Sequence, residues 1–180
     1  MFKKSLSDVG LALASLFLFY GSVPALAQSW STMTQAQRNE VVLSAGEGMN
    51  DSNIGRYGGQ CKTWVQNIVW AASKYTVWLP TNASDNYQWA LYPGDHVVQM
   101  TPVVGPQNPL SLQPGWILQL ARQNNAGPHT AIVVMASNSG IVLLDSNWAP
   151  PNAGIIAMHA MTWVQFNSAF ARYTAYEVAW

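Results

Sequence analysis

Cys61 is the single cysteine of the 180-residue chain and the residue with the most distinctive chemical prospects. It follows Gly58-Gly59-Gln60 and opens a stretch to about Lys74. There Trp64, Val65, Ile68, Val69 and Ala72 recur at three and four residues with no Gly or Pro between them. The spacing predicts a helix with the thiol at its N-terminus. Backbone N–H groups and the helix dipole favour negative charge there, which lowers a thiol pKa toward the nucleophilic thiolate. The two glycines permit a close backbone approach just before the thiol. The N–H of Cys61 can face an attacked carbonyl oxygen, and the Gln60 amide is a candidate second donor for an oxyanion hole. The bland alternatives are a small buried hydrophobe and an intermolecular disulfide.

A thiolate nucleophile also needs an acid for the leaving amine, and histidine is the usual choice. The candidates are His96, His129 and His159. His129 lies in Gly127-Pro128-His129-Thr130 at the mouth of an apolar β-branched run, where a strand end would hold its ring rigidly. His96 follows a Pro93-Gly94-Asp95 turn and reads as solvated, and His159 reads as structural. The imidazole then needs an orienting partner. Treating Asn138-Ser139-Gly140 as a three-residue hairpin loop pairs Ser137 with Ile141 and sets His129 opposite Ala149. In that register Asn147 is the diagonal same-face neighbour of His129, and Asp145 lies two residues farther along the same face. Asn147 is the first choice for the third catalytic position and Asp145 the alternative; a one-residue slip would undo the argument.

The elements that must position these residues follow from the periodicity. Thr34 with Gln37 forms a capping box ahead of a helix over roughly 34–46. A glycine- and asparagine-rich loop from Gly46 to Gly59 leads to the Cys61 helix. Residues 76–116 read as connecting structure with short helical or extended pieces. Strands are expected at Trp116–Leu120, Thr130–Ala136, Ile141–Leu144, Ile155–Met158 and Tyr173–Trp180. Helices first and strands later indicate an α+β domain with an antiparallel sheet. At the N-terminus, Lys3 and Lys4 precede the apolar run Leu11–Tyr20 and the small-residue ending Ala25-Leu26-Ala27. This reads as a signal peptide over residues 1–27, cleaved after Ala27, because the apolar run is about half the roughly 20 residues a membrane span requires. A single secreted or periplasmic domain over 28–180 follows, with no membrane anchor after cleavage.

Eight basic residues balance eight acidic ones, and only 9% of residues are charged, so there is no basic stripe for nucleic acid. One cysteine and three scattered histidines give no zinc spacing. Most of the nine tryptophans should be core. Trp64 and Trp148 are expected near the cleft, and Arg56 and Tyr57 in the preceding loop are candidate substrate contacts.

Gly58-Gly59-Gln60-Cys61 with Thr63-Trp64-Val65, then Pro114-Gly115, then His129-Thr130-Ala131-Ile132-Val133, then Asp145-Ser146-Asn147-Trp148, resembles the CHAP family of cysteine, histidine-dependent amidohydrolases/peptidases. The resemblance runs from about residue 46 to the C-terminus. It implies a papain-like fold and cleavage of an amide in bacterial peptidoglycan through a thioester. In that reading Cys61 is the nucleophile, His129 the base and acid, Asn147 the orienting residue and Gln60 part of the oxyanion hole, with no cofactor. Family members commonly carry Asp after the Pro-Gly pair, where this chain has Trp116. Some bind calcium in a loop before the cysteine. Asp51-Ser52-Asn53 with Gly55 offers two clear side-chain donors where calcium takes six to eight, so no metal is expected. The alternatives are a non-catalytic wall- or glycan-binding domain, and a secreted antibacterial effector with the same chemistry. An immunity or activator protein is a candidate partner.

Overall fold

The computed structural model describes residues 28–79, 100–104, 111–123, 127–148 and 153–179. The expected signal peptide, the turn carrying His96, and the Pro150-Pro151 pair lie outside these residues. Helix α1 is Gln35–Glu47, and its Thr34/Gln37 capping box is formed in both directions. Helix α2 is Cys61–Ala72, with Gln60 at its N-cap. Strands β1 (Met100–Val104), β2 (Ile117–Arg122), β3 (Pro128–Ser137), β4 (Gly140–Ser146) and β5 (Ile156–Thr162) follow, then helix α3 (Trp163–Ala169) and strand β6 (Phe170–Val178). The strands form one six-stranded sheet in the order β1-β6-β2-β3-β4-β5, with every neighbouring pair antiparallel. The chain is thus α+β, with N-terminal helices packed on an antiparallel sheet and Cys61 opening one of them.

Both faces of the sheet are covered, which explains why the central strands read as unbroken apolar runs. On one face, Val42, Trp64, Val65 and Val69 of α1 and α2 pack against Ile117, Ile132, Leu144 and Tyr176. On the other, Phe166 of α3 packs with Leu118, Leu120, Val133, Leu143 and Phe170. Helix α1 comes very close to the turn entering β2. Gly115 has φ +81°, and a Cβ there would lie 2.0 Å from the Asn39 carbonyl oxygen, so glycine is needed at this position. Helix α3 was not expected from the sequence, although Thr162 and Gln165 form a second capping box.

The β3–β4 hairpin corrects the expected register. Ser137 pairs with Gly140, leaving a two-residue loop, and a bulge between Val133 and Met135 shifts the ladder by one further residue. Ala131 therefore pairs with Asp145, and His129 stands across from Asn147, two residues away from the expected Ala149.

Candidate active site

Cys61 is half-buried at the first turn of α2, and the loop before it is fastened to the far end of the sheet. The N–H groups of Gly58 and Gly59 both donate to the Gly154 carbonyl, at 2.7 and 3.1 Å. The buried Ser146 hydroxyl, at the end of β4, bridges the carbonyls of Gly59 (2.8 Å) and Gly154 (3.2 Å). Gly58 is required by contact. A Cβ on it would lie 2.6 to 2.8 Å from side-chain atoms of Ile156, Ser146 and Trp64. These ties fix the direction in which the helix presents its thiol.

His129, near the start of β3, lies within hydrogen-bonding reach of Cys61. Its Nε2 is 3.5 Å from Oδ2 of Asp145, and the two side chains are 1% and 0% exposed. With Ala131 paired to Asp145, Asp145 becomes the diagonal same-face neighbour of His129. Burial alone would push the Cys61 thiol up. The hydrogen bond and charge of His129, with backbone donors from Thr130 and Lys62, outweigh it and hold the thiol below its ordinary value. Burial alone would likewise lower the His129 pKa. Hydrogen bonds and charge from Asp145 and Cys61 outweigh that and raise it. The two shifts have opposite sign and a common cause, since each group favours the charged form of the other.

The structure brings Cys61, His129 and Asp145 together and takes Asn147 elsewhere, which corrects the first choice for the residue orienting His129. Asn147 has left the strand with φ 66°. Its Nδ2 donates to Oε1 of Gln60 at 3.0 Å, and its Oδ1 accepts from the Gly154 N–H at 2.8 Å. Gln60 makes no cap hydrogen bond with its side chain. Asn147 thus holds the side-chain carbonyl of the residue at the N-cap of the Cys61 helix. Trp64 is corrected too. At 4% exposure it belongs to the core beneath Gly58, because its helix position faces the sheet. Arg56 is exposed, and its carbonyl accepts from the Ile156 N–H at 2.9 Å. Tyr57 is 80% exposed, with its ring beside Gly154 and Gly59 on the rim. Asn53 of the loop considered for calcium donates to the carbonyls of Ala45 and Gly46, closing the end of α1.

Trp148 lies beside His129 and His159. Its ring meets the His129 ring edge-on at 5.2 Å and stacks on His159 at 4.3 Å with an interplanar angle of 21°. Arg122, at the irregular end of β2, donates to the Trp148 carbonyl, and its Nη2 is 3.1 Å from Nδ1 of His129. A guanidinium can only donate, so this contact requires an unprotonated Nδ1. Sequence reasoning missed Arg122 and read His159 as structural. Each reaches its partner from a different strand, which nothing in its local sequence marks.

No family model and no curated protein matches the chain. Its fold is similar to the crystal structure of Ly7917 with the hydrolyzing product of MDP, at 14% identity and a TM-score of 0.49, with 80% of this chain and 63% of that chain covered. It is also similar to the crystal structure of Ly7917, at 16% identity and a TM-score of 0.48, with 78% and 62% covered. The chain thus spans less than two thirds of the length of either.

Proposed function

We propose that this protein is an exported cysteine amidohydrolase or endopeptidase that cleaves an amide bond of bacterial peptidoglycan. The observation that carries the chemistry is the convergence of Cys61, at a helix N-terminus, with a His129 whose ring faces the buried Asp145. The substrate class rests on the resemblance of the four sequence blocks to the CHAP family.

With Nε2 facing Asp145, Nδ1 is the ring nitrogen left to take the thiol proton, and the Arg122 contact opens when it does. The thiolate adds to the amide carbonyl. The resulting oxyanion is met by the Cys61 N–H and the Gln60 amide, which Asn147 orients through its carbonyl oxygen. His129 returns the proton to the leaving amine as the C–N bond breaks, giving a thioester and a free amine. Water then adds to the thioester while His129 accepts its proton. Collapse expels the Cys61 thiolate and releases a carboxylic acid. Asp145 keeps the ring oriented and stabilises its cationic form. No step calls for a cofactor.

The test is incubation of residues 28–180, and separately its Cys61→Ala and His129→Ala forms, with purified peptidoglycan, followed by mass spectrometry of the soluble fragments. Fragments from the parent chain alone are expected, and their masses name the bond. If turnover persists in Cys61→Ala, the mechanism is wrong. If no fragments appear while all three proteins pellet with the wall, the domain is a binding module.

A further inference from the structure

Asp145 is wholly buried, and both of its oxygens face imidazoles. Oδ2 lies 3.5 Å from Nε2 of His129, and Oδ1 lies 3.5 Å from Nε2 of His159. These are ion-pair approaches, and among the described residues neither oxygen has a hydrogen-bond partner besides them. A carboxylate oxygen accepts and never donates, so Nε2 of His159 must carry the proton in any hydrogen bond between them. We infer that His159 is a positioning residue for His129, its Nε2–H holding Asp145 in the rotamer that keeps Oδ2 on the His129 ring. The inference rests on the reading of Cys61, His129 and Asp145 as a catalytic set.

Three features give His159 this role. Strand β5 alternates, so that Ala157, His159 and Met161 are partly covered while Met158, Ala160 and Thr162 are exposed. His159 pairs with Leu143, two residues from Asp145 on β4, which makes it the diagonal neighbour of that carboxylate on the side away from His129. Its ring is 17% exposed and lies flat on Trp148, which also meets the His129 ring in a T-shaped contact. A single indole therefore braces both imidazoles, and the carboxylate is clamped between them. Without the His159 ring, Oδ1 would face no polar group and the carboxylate would be free to turn, which is costly in a dry site. The other charged or titratable groups on this chain of contacts are Arg122, against Nδ1 of His129, and Cys61 with its neighbour Lys62 on α2.

The experiment reads the thiol directly. The rate of Cys61 alkylation by iodoacetamide is followed against pH in residues 28–180 and in two variants, with thermal unfolding alongside. This assay needs no substrate. An ordinary thiol pKa in the parent chain refutes the catalytic set itself, while a depressed parent value leaves the variants to decide the role of His159. His159→Phe keeps a ring for Trp148 and removes the donor; His159→Gln can still offer an N–H. In His159→Phe the apparent thiol pKa should rise by about one unit, reducing the alkylation rate at low pH by about tenfold. His159→Gln should stay within about threefold of the parent, about half a unit. Parental alkylation in a folded His159→Phe overturns the proposal, as does equal loss in both variants. If His159→Phe does not fold, His159→Gln decides: a parental profile supports the clamp, and an ordinary thiol overturns it.

Discussion

Asp145→Asn separates the two candidates for the third catalytic position. In the charged form of the site, the imidazolium of His129 and the Asp145 carboxylate are 3.5 Å apart. At an effective dielectric near 20, Coulomb's law gives about 5 kcal/mol for two unit charges at that distance, an upper bound on what the amide forfeits. The amide dipole and relaxation of the site recover part of it. At 1.36 kcal/mol per decade, a net loss of about 3–4 kcal/mol is a fall of about 10²–10³ in kcat. The amide is also geometrically awkward, since it offers one oxygen and one NH₂ group to two imidazole nitrogens. One of the two rings must then change tautomer. Removing one partner of a buried ion pair destabilises the fold where the other charge stays, but an imidazole can shed its proton, so the loss of thermal stability should be smaller than the loss of activity. The assays are fragment release from peptidoglycan, iodoacetamide alkylation against pH, and calorimetry. If Asp145→Asn keeps activity within about threefold while Asn147→Ala loses about a hundredfold, the assignment of Asp145 is refuted and the third position returns to Asn147.

Three further outcomes are expected. The pH profile of kcat/KM should be bell-shaped. Its acid limb falls below the ordinary thiol value because the Cys61 pKa is lowered, and its alkaline limb above the ordinary imidazole value because that of His129 is raised. Activity is lost as pH drops through the first or climbs through the second; an acid limb at the usual thiol pKa would contradict the ion pair. Gln60→Ala should lower kcat by about 10²–10³ with little change in KM, and Asn147→Ala should cost less, since it keeps the Gln60 amide and removes only its tie to the Gln60 carbonyl and to the Gly154 N–H. Equal losses would mean that Asn147 acts on substrate directly. Gly58→Ala should reduce stability by about 1–3 kcal/mol, because its Cβ meets Ile156, Ser146 and Trp64 at 2.8 Å or less; an unchanged midpoint in calorimetry would show that the loop has room to shift.

Much of the fold was legible because local signals agreed. The Thr34/Gln37 box starts α1, the apolar spacing after Cys61 carries α2, and the later strands fall where β-branched runs lie between turn residues. The Thr162/Gln165 box carries the same signal, but it lies between the strands expected at Ile155–Met158 and Tyr173–Trp180, a stretch to which the sequence reading assigns no element. The site was legible at Cys61 and His129, whose neighbours in sequence set their surroundings. The partner of His129 was not, because it depends on ladder register. Leu143, Leu144, Asp145 and Ser146 are all buried, so no alternation of apolar and polar residues pins β4, and the Val133/Met135 bulge has no sequence mark. His159 lies one strand farther out, beyond the reach of local reasoning.

The bulge makes the β3–β4 hairpin a ruler with one graduation folded away. Were the extra residue drawn into the ladder, Ala131 would pair with Ser146, and His129 would have a hydroxyl where it now has a carboxylate. The displaced Asp145 would point at the opposite, oily face. Insertions and deletions in this hairpin are therefore more hazardous to the chemistry than most point substitutions on the same strands. A chain whose residues all match this one, but whose hairpin differs in length by one, would keep the parts of the site and lose its alignment.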